Sequence, residues 1–156
     1  MSATAIEICD ALAAGITAKA FSSPYASVTA VRRYVPDYEG TDLKNLKISV
    51  VPGGVETERS ARGQDLFTHE ILVVLAKLVD GSNTQIDALT KLAEEILDAI
   101  RSDLLTMPTM PANARYFGAM MQTSFDRDSL TDRRVFLAQI SVTYRVPRDH
   151  VAPTGV

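Results

Sequence analysis

The segment DLFTHEILVVLAKLV, Asp65 to Val79, places the tightest limit on what this chain can fold into. Successive side chains of a strand point to opposite faces. Phe67, Ile71, Val73, Leu75 and Val79 share one parity, and Leu72, Val74, Ala76 and Leu78 share the other. In the first half, polar Thr68 and Glu70 alternate with the apolar set. The second half is apolar on both faces, as in a strand covered on both sides. Asp80, Gly81, Ser82 and Asn83 then read as a turn.

Cover for such a strand comes from amphipathic helices. The spacing predicts one over Thr84 to Leu105: Ile86, Leu89, Ala93, Ile96, Leu97, Ile100 and Leu104 form one stripe, with Asp87, Lys91, Glu94, Glu95, Asp98 and Arg101 outside it. Ser82 and Gln85 have capping-box spacing, and Pro108 and Pro111 lie beyond its end. A second helix is expected over Thr4 to Ala20, with Thr4 and Glu7 as a capping box and Ile6, Cys9, Ala13, Ile16 and Ala20 as its apolar stripe. Gly15 weakens it by about 1 kcal/mol relative to alanine, and Ser22, Ser23 and Pro24 end it.

The remaining segments read as strands and loops. Val28 to Val35 is an expected strand, followed by a polar loop through Pro36, Asp37, Glu39 and Gly40. Leu46 to Val51 is another, closed by a Pro52-Gly53-Gly54 turn. Val55 to Arg62 is polar, either a solvent-facing strand or a loop, with Gly63 as a break. Arg115 to Phe125 carries Phe117, Ala119, Met121 and Phe125 on one parity. Arg134 to Val146 alternates cleanly, with Phe136, Ala138, Ile140, Val142, Tyr144 and Val146 on the inner side. Asp126 to Arg133 reads as a charged connection. The expectation is one α+β domain over residues 1–146, a mainly antiparallel sheet of about five or six strands with two helices packed against it, and an extended tail over 147–156.

Composition narrows the chemistry. The 156 residues include one cysteine and two histidines, so no internal disulfide is possible and little material exists for a zinc site. Lys and Arg number 16 against 19 Asp and Glu, a formal net charge of -3, which argues against a basic nucleic-acid-binding domain. The longest apolar run falls far short of the roughly 20 residues a membrane helix needs, and the N-terminus lacks a signal peptide's basic start. A soluble protein made in a reducing compartment is expected.

Individual motifs lead away from catalysis. Asp126, Asp128 and Asp132 occupy positions 1, 3 and 7 of a calcium loop, but Thr131 replaces the required glycine and Leu137 the bidentate carboxylate. His69 and Glu70 point to opposite faces, and no HExxH, GxGxxG or P-loop pattern occurs. His150 falls in the tail. Cys9 lies on an apolar stripe, the place of an inert buried thiol. No catalytic residue, cofactor or metal is expected. Arginines do stand out at Arg32, Arg33, Arg59, Arg62, Arg127, Arg133, Arg134, Arg145 and Arg148; their flat, multi-donor heads suit interfaces.

The layout resembles the tail terminator (tail completion, minor tail) proteins of long-tailed bacteriophages over about Thr4 to Val146. The matching features are the opening helix, KISVVPGG at Lys47 to Gly54, ERSARG at Glu58 to Gly63 leading into the long strand, the helix IDALTKLAEEILDAI, and the closing FLAQISVTYRV at Phe136 to Val146. The resemblance implies a structural protein of the virion tail or neck, made in the host cytoplasm, that forms a hexameric ring. Such a ring caps the tail tube, meets a head connector or head-closure protein, and lets DNA pass through its lumen without sequence-specific binding. Closed rings need heterologous contacts. The expected contact segments are Val55 to Arg62, Asp126 to Arg133 and the 147–156 tail, with Arg59, Arg62, Asp126, Arg127, Asp128, Arg133, Arg145 and Arg148 as contact residues. Two other readings stand beside this one: another neck component (head-closure or head-tail joining), and a small α+β enzyme or ligand-binding domain.

Overall fold

In the computed structural model, which describes residues 3–35, 42–123 and 126–150, three strands of equal length carry the architecture. β2 (Lys47–Ala61), β3 (Gln64–Leu78) and β5 (Val135–Asp149) each run 15 residues, which is roughly 50 Å of extended chain. Two shorter strands, β1 (Ala30–Arg32) and β4 (Arg115–Thr123), complete a five-stranded sheet in the order β1-β2-β3-β5-β4. All neighbours are antiparallel except β1 and β2. The helices are α1 (Thr4–Ala18), α2 (Asn83–Arg101) and α3 (Arg127–Arg133). The α+β class is as expected, but the sheet is mixed and has a third helix.

The parity of β3 sets the core. Ile71, Val73 and Leu75 pair with Val142, Ile140 and Ala138 of β5, and this face packs under α1 and α2. α2 contributes Leu89, Ala93, Ile96 and Ile100, as its stripe predicts. The second half of β3 is buried on both faces: Val74 and Ala76 are as inaccessible as Val73 and Leu75. On that opposite face Ser49, Val51 and Leu43 are also buried, and Lys77 Nζ donates to the carbonyl of Lys44 in a short 3-10 turn (Asp42–Lys44; 3.3 Å).

Several boundaries differ from the sequence expectation. α1 ends at Ala18, and its buried stripe is centred on Ile8, Leu12 and Ile16, with Ile6 half-buried and Ala20 exposed. No Thr4 capping box forms: the cap residue is Ala3, and the Thr4 hydroxyl instead accepts from Arg148. At α2 the Ser82 hydroxyl does accept from the Gln85 amide (3.3 Å), while the Gln85 side chain accepts from the Asp80 amide (2.9 Å). α2 stops four residues early. Asp103 takes φ +55°, and the amides of Leu104 and Asp103 return to the carbonyls of Ala99 and Ile100, a Schellman closure without glycine. Leu104, expected on the stripe, is therefore outside the helix and exposed. The chain after it folds back onto α1: a Cβ on buried Gly15 would stand 2.8 Å from Met107 Cγ, so this glycine makes room for packing.

Pro52-Gly53-Gly54 is not a turn. β2 continues through it with a bulge between Pro52 and Val55, because β1 pairs only with Ile48 to Val50 and leaves β2 an edge from Val51 onward. An edge tolerates proline and a bulge. Gly53 is required there, since a Cβ would lie 2.8 Å from the Glu70 carbonyl oxygen. Val55 to Ala61 is thus strand, not loop, and Gly63 at φ +77° turns the chain into β3.

The same principle corrects the tail. Pro147 to Asp149 belong to β5, paired with Leu66, Asp65 and Gln64. The Pro147 carbonyl faces outward to accept from Asn113 Nδ2 (3.3 Å), and the proline nitrogen lies on that same outer side, so no ladder bond is lost. Residues 151–156, the 36–40 loop and Phe125 lie outside the described residues. In the first expected strand only Ala30–Arg32 is paired. The charged connection is α3, capped by Asp126 and ended by Arg134 at φ +53°.

Two variants test this packing. Ile96→Ala empties a fully buried site and is expected to cost about 2–5 kcal/mol in urea unfolding; an unchanged midpoint contradicts the α2 packing. Gly53→Val is expected to cost about 1–3 kcal/mol through overpacking, with no loss if the bulge is not closely approached by β3.

Candidate interaction surface

The sheet has two unlike halves. One is covered by α1 and α2; the other, built from the far ends of β2, β3 and β5, extends beyond them as an arm. In the arm Val55 to Ala61 are all exposed. Strand pairing without a layer to bury leaves side chains to satisfy one another along the surface. Arg148 stacks on the Phe67 ring (4.9 Å) and donates to Thr4, tying the arm to the start of α1. Arg145 stacks on Phe117 at 3.6 Å. His150 pairs with Asp65 (3.0 Å), its amide donates to the Gly63 carbonyl (2.6 Å), and Gln64 donates to Asp149 (3.1 Å).

The expected contact residues divide between the two ends of β5. Arg59 and Arg62 sit at the arm tip, exposed, with Arg59 opposite Asp65 in the ladder. Arg148 lies on β5 in the arm, and Arg145 lies just before it, on the outer face of the sheet between buried Tyr144 and Val146. Asp126, Arg127, Asp128 and Arg133 belong to α3, at the other end. From Arg134 to Arg148 is roughly 45 Å of strand. Arg127, Asp128 and Arg133 are exposed. Asp126 is engaged as a cap: the Ser129 hydroxyl and amide donate to it and hold its carboxyl below the usual range. Arg148 is likewise engaged within the chain.

Residues that the sequence did not single out complete the surface. β4 bulges between Tyr116 and Gly118, which throws Phe117 off the core parity it shares with Ala119 and Met121 and leaves it 58% exposed. Phe117 then lies on the face away from the helices, with Arg145. Arg115 is directly opposite Arg145 on that face. A groove of about 530 Å³ runs there, lined by Gln64, Leu66, Arg115, Phe117, Arg145 and Pro147. Across β3, Glu56 and Glu58 of β2 share the face. Only the bulge, invisible to parity counting, separates Phe117 from its expected inward position.

Other grooves and buried polar groups belong to packing. One of about 450 Å³ borders Lys19 to Ser22 and α2, where Glu95 accepts from the Ser22 amide (3.0 Å) and is held below its ordinary range by Ser22. Another of about 420 Å³ lies beside Met107, Met110, Tyr116 and Tyr144. Burial pushes the Tyr144 phenol up to about 12 and the Cys9 thiol up to about 12. Arg32 and Asp10 form an ion pair (2.7 Å) linking β1 to α1. Among the described residues, no cluster of three or more His, Cys, Asp or Glu could hold a metal ion, and no helix is long and apolar enough to cross a membrane. No protein-family model and no curated protein matches the chain.

His69 is buried on the helix-covered side with neither ring nitrogen hydrogen-bonded. Burial, reinforced by the nearby Arg148 charge, lowers its pKa from the ordinary 6.5. Protonation therefore favours the unfolded chain. Its stabilising neutral form is complete above about pH 6.5 and is lost as pH falls toward the folded-state value. Relative to His69→Leu, the wild-type chain should lose stability in urea titrations below that pH; parallel curves for the two would contradict the burial. Cys9 should resist a thiol reagent at pH 8 until the chain is unfolded, and rapid labelling of the native protein would place it outside the core.

Proposed function

We propose that the chain is a ring-forming structural subunit of the neck or tail of a long-tailed phage, of the tail terminator type. The observation that carries this reading is the arm. Among the described residues, the strand Val55 to Ala61 is exposed along its length and has no partner on one edge. Free sheet edges favour pairing with another chain, and an arm of this length suits contact with a neighbour in a ring.

Supporting features follow from position. The two groups of arginines and aspartates stand at opposite ends of the long strands, so one subunit offers unlike patches to its surroundings. Heterologous contacts that close a ring need unlike patches. The exposed aromatic and arginine side chains of β4 and β5 are of the types enriched in protein contacts. A net charge of -3 suits a passage through which DNA slides, because a strongly positive lumen would retain phosphates. In this reading one ring face meets the tube protein and the other a head connector or head-closure protein, and the ring resides in the virion.

Mixing the purified chain with the polymerising tube protein of its own virion tests the proposal. Tubes should stop growing and carry a ring at one end in electron micrographs. Tubes of unrestricted length with no bound chain would sink it. A chain cut after His150 keeps all of β5 and is the proper test of the tail, since a cut after Val146 removes the last three ladder residues.

A further inference from the structure

We infer that copies of this chain join edge to edge through the arm, with the acidic outer edge of β2 (Glu56 and Glu58) of one copy seated against the basic rim (Arg115 and Arg145) of the next. This rests on the ring reading above and names the contact that would build it.

The ladder registers place a polarised row across the sheet. Glu56 pairs with Thr68, Thr68 with Arg145, and Arg145 with Arg115. Paired residues of adjacent strands share one face, so the row runs from acid to base on the face away from the helices. Glu58, beside Leu66, adds a second carboxylate on the acidic end. Among the described residues the outer side of β2 has no strand partner at Glu56, because β1 reaches only Val50. β4 is the opposite edge of the sheet. Both ends of the row are therefore open, and they stand at one height. A second copy shifted sideways brings its Glu56 beside Arg115.

Three further observations favour this occupant. Like charges directly opposite each other on a sheet are destabilising, and among the described residues neither Arg115 nor Arg145 has a carboxylate within ion-pair distance. A neighbour's carboxylates would relieve that repulsion. β2 and β4 run in opposite directions, so sideways copies meet antiparallel, the better of the two pairings. Apolar surface is present on both sides of the junction: Tyr116, Phe117 and Met120 on the basic rim are 43%, 58% and 62% exposed, and Val55 on the acidic edge is 49% exposed. A phosphate backbone is the weaker occupant, since the glutamates two strands away on the same face would repel it.

Charge exchange tests the contact. Glu56→Arg with Glu58→Arg in one chain, and Arg115→Glu in another, should each raise the concentration needed for assembly about tenfold or more by setting like charges together. Circular dichroism checks that each variant is folded. Mixed in equal amounts, the two variants present complementary edges to each other and should recover assembly as alternating copies. A second route uses Glu56→Cys mixed with Arg115→Cys, which should form a cross-linked pair under mild oxidation; native Cys9 is buried and does not compete. Folded single-charge variants that assemble like the wild type, or cysteine variants that do not cross-link within an assembled ring, overturn this contact and leave the ring standing. A wild-type chain that never self-associates overturns both.

Discussion

β3 and β5 are paired without interruption from Gln64–Asp149 to Leu78–Val135, and every other part of the molecule is placed by that ladder. An antiparallel pair fixes both register and facing. Once Ile71, Val73 and Leu75 turn toward the helices, the alternation of β5 must turn Ile140, Val142 and Tyr144 the same way. The ladder is longer than the core. The helices cover part of its length, and the remainder continues as paired strand because backbone hydrogen bonding does not need a layer above it, only a neighbour beside it.

That mismatch produces the two kinds of chemistry in the chain. Where the helices lie, burial dominates: Cys9, His69 and Tyr144 are held in their uncharged forms by desolvation. Beyond the helices, side chains meet by stacking and charge. Arg145 stacks on Phe117 on the face away from the helices, and Arg148 stacks on Phe67 where the core gives way to the arm, so guanidinium over ring borders the core. Arg148 also reaches Thr4, which ties this end of β5 to the start of α1, beside Val146 and Phe67 where the strands meet the core.

Much of this was legible in the sequence, and the parts that were not share a cause. Period-two alternation located β3 and β5, and the stripe from Ile86 to Ile100 located α2, because burial leaves a periodic signature. Pro52-Gly53-Gly54 reads as a turn and the chain from Pro147 as a tail, yet both prolines lie where their strand is an edge and an outward nitrogen needs no partner. Edge status is a property of the whole sheet, which no local window contains. Phe117 shows the complementary failure: its parity is that of a core residue, and one extra residue in β4 turns it outward. α2 ends on Asp103 in a left-handed conformation usually taken by glycine, so no stop signal preceded Pro108. Of the expected contact residues, Asp126 and Arg148 proved to be engaged within the chain, while Glu56, Glu58 and Arg115 gained weight only from the register.

In the proposed ring the arm is completed by neighbours. Hydrogen–deuterium exchange on the free chain and on its assembled form measures this directly. Among the described residues, the amides of Glu56 to Ala61 that point away from β3 have no backbone partner. They should exchange rapidly in the dilute monomer and slow markedly on assembly, with little change across α2. Equal exchange in the arm at low and high concentration, in a preparation shown to assemble, would contradict the account.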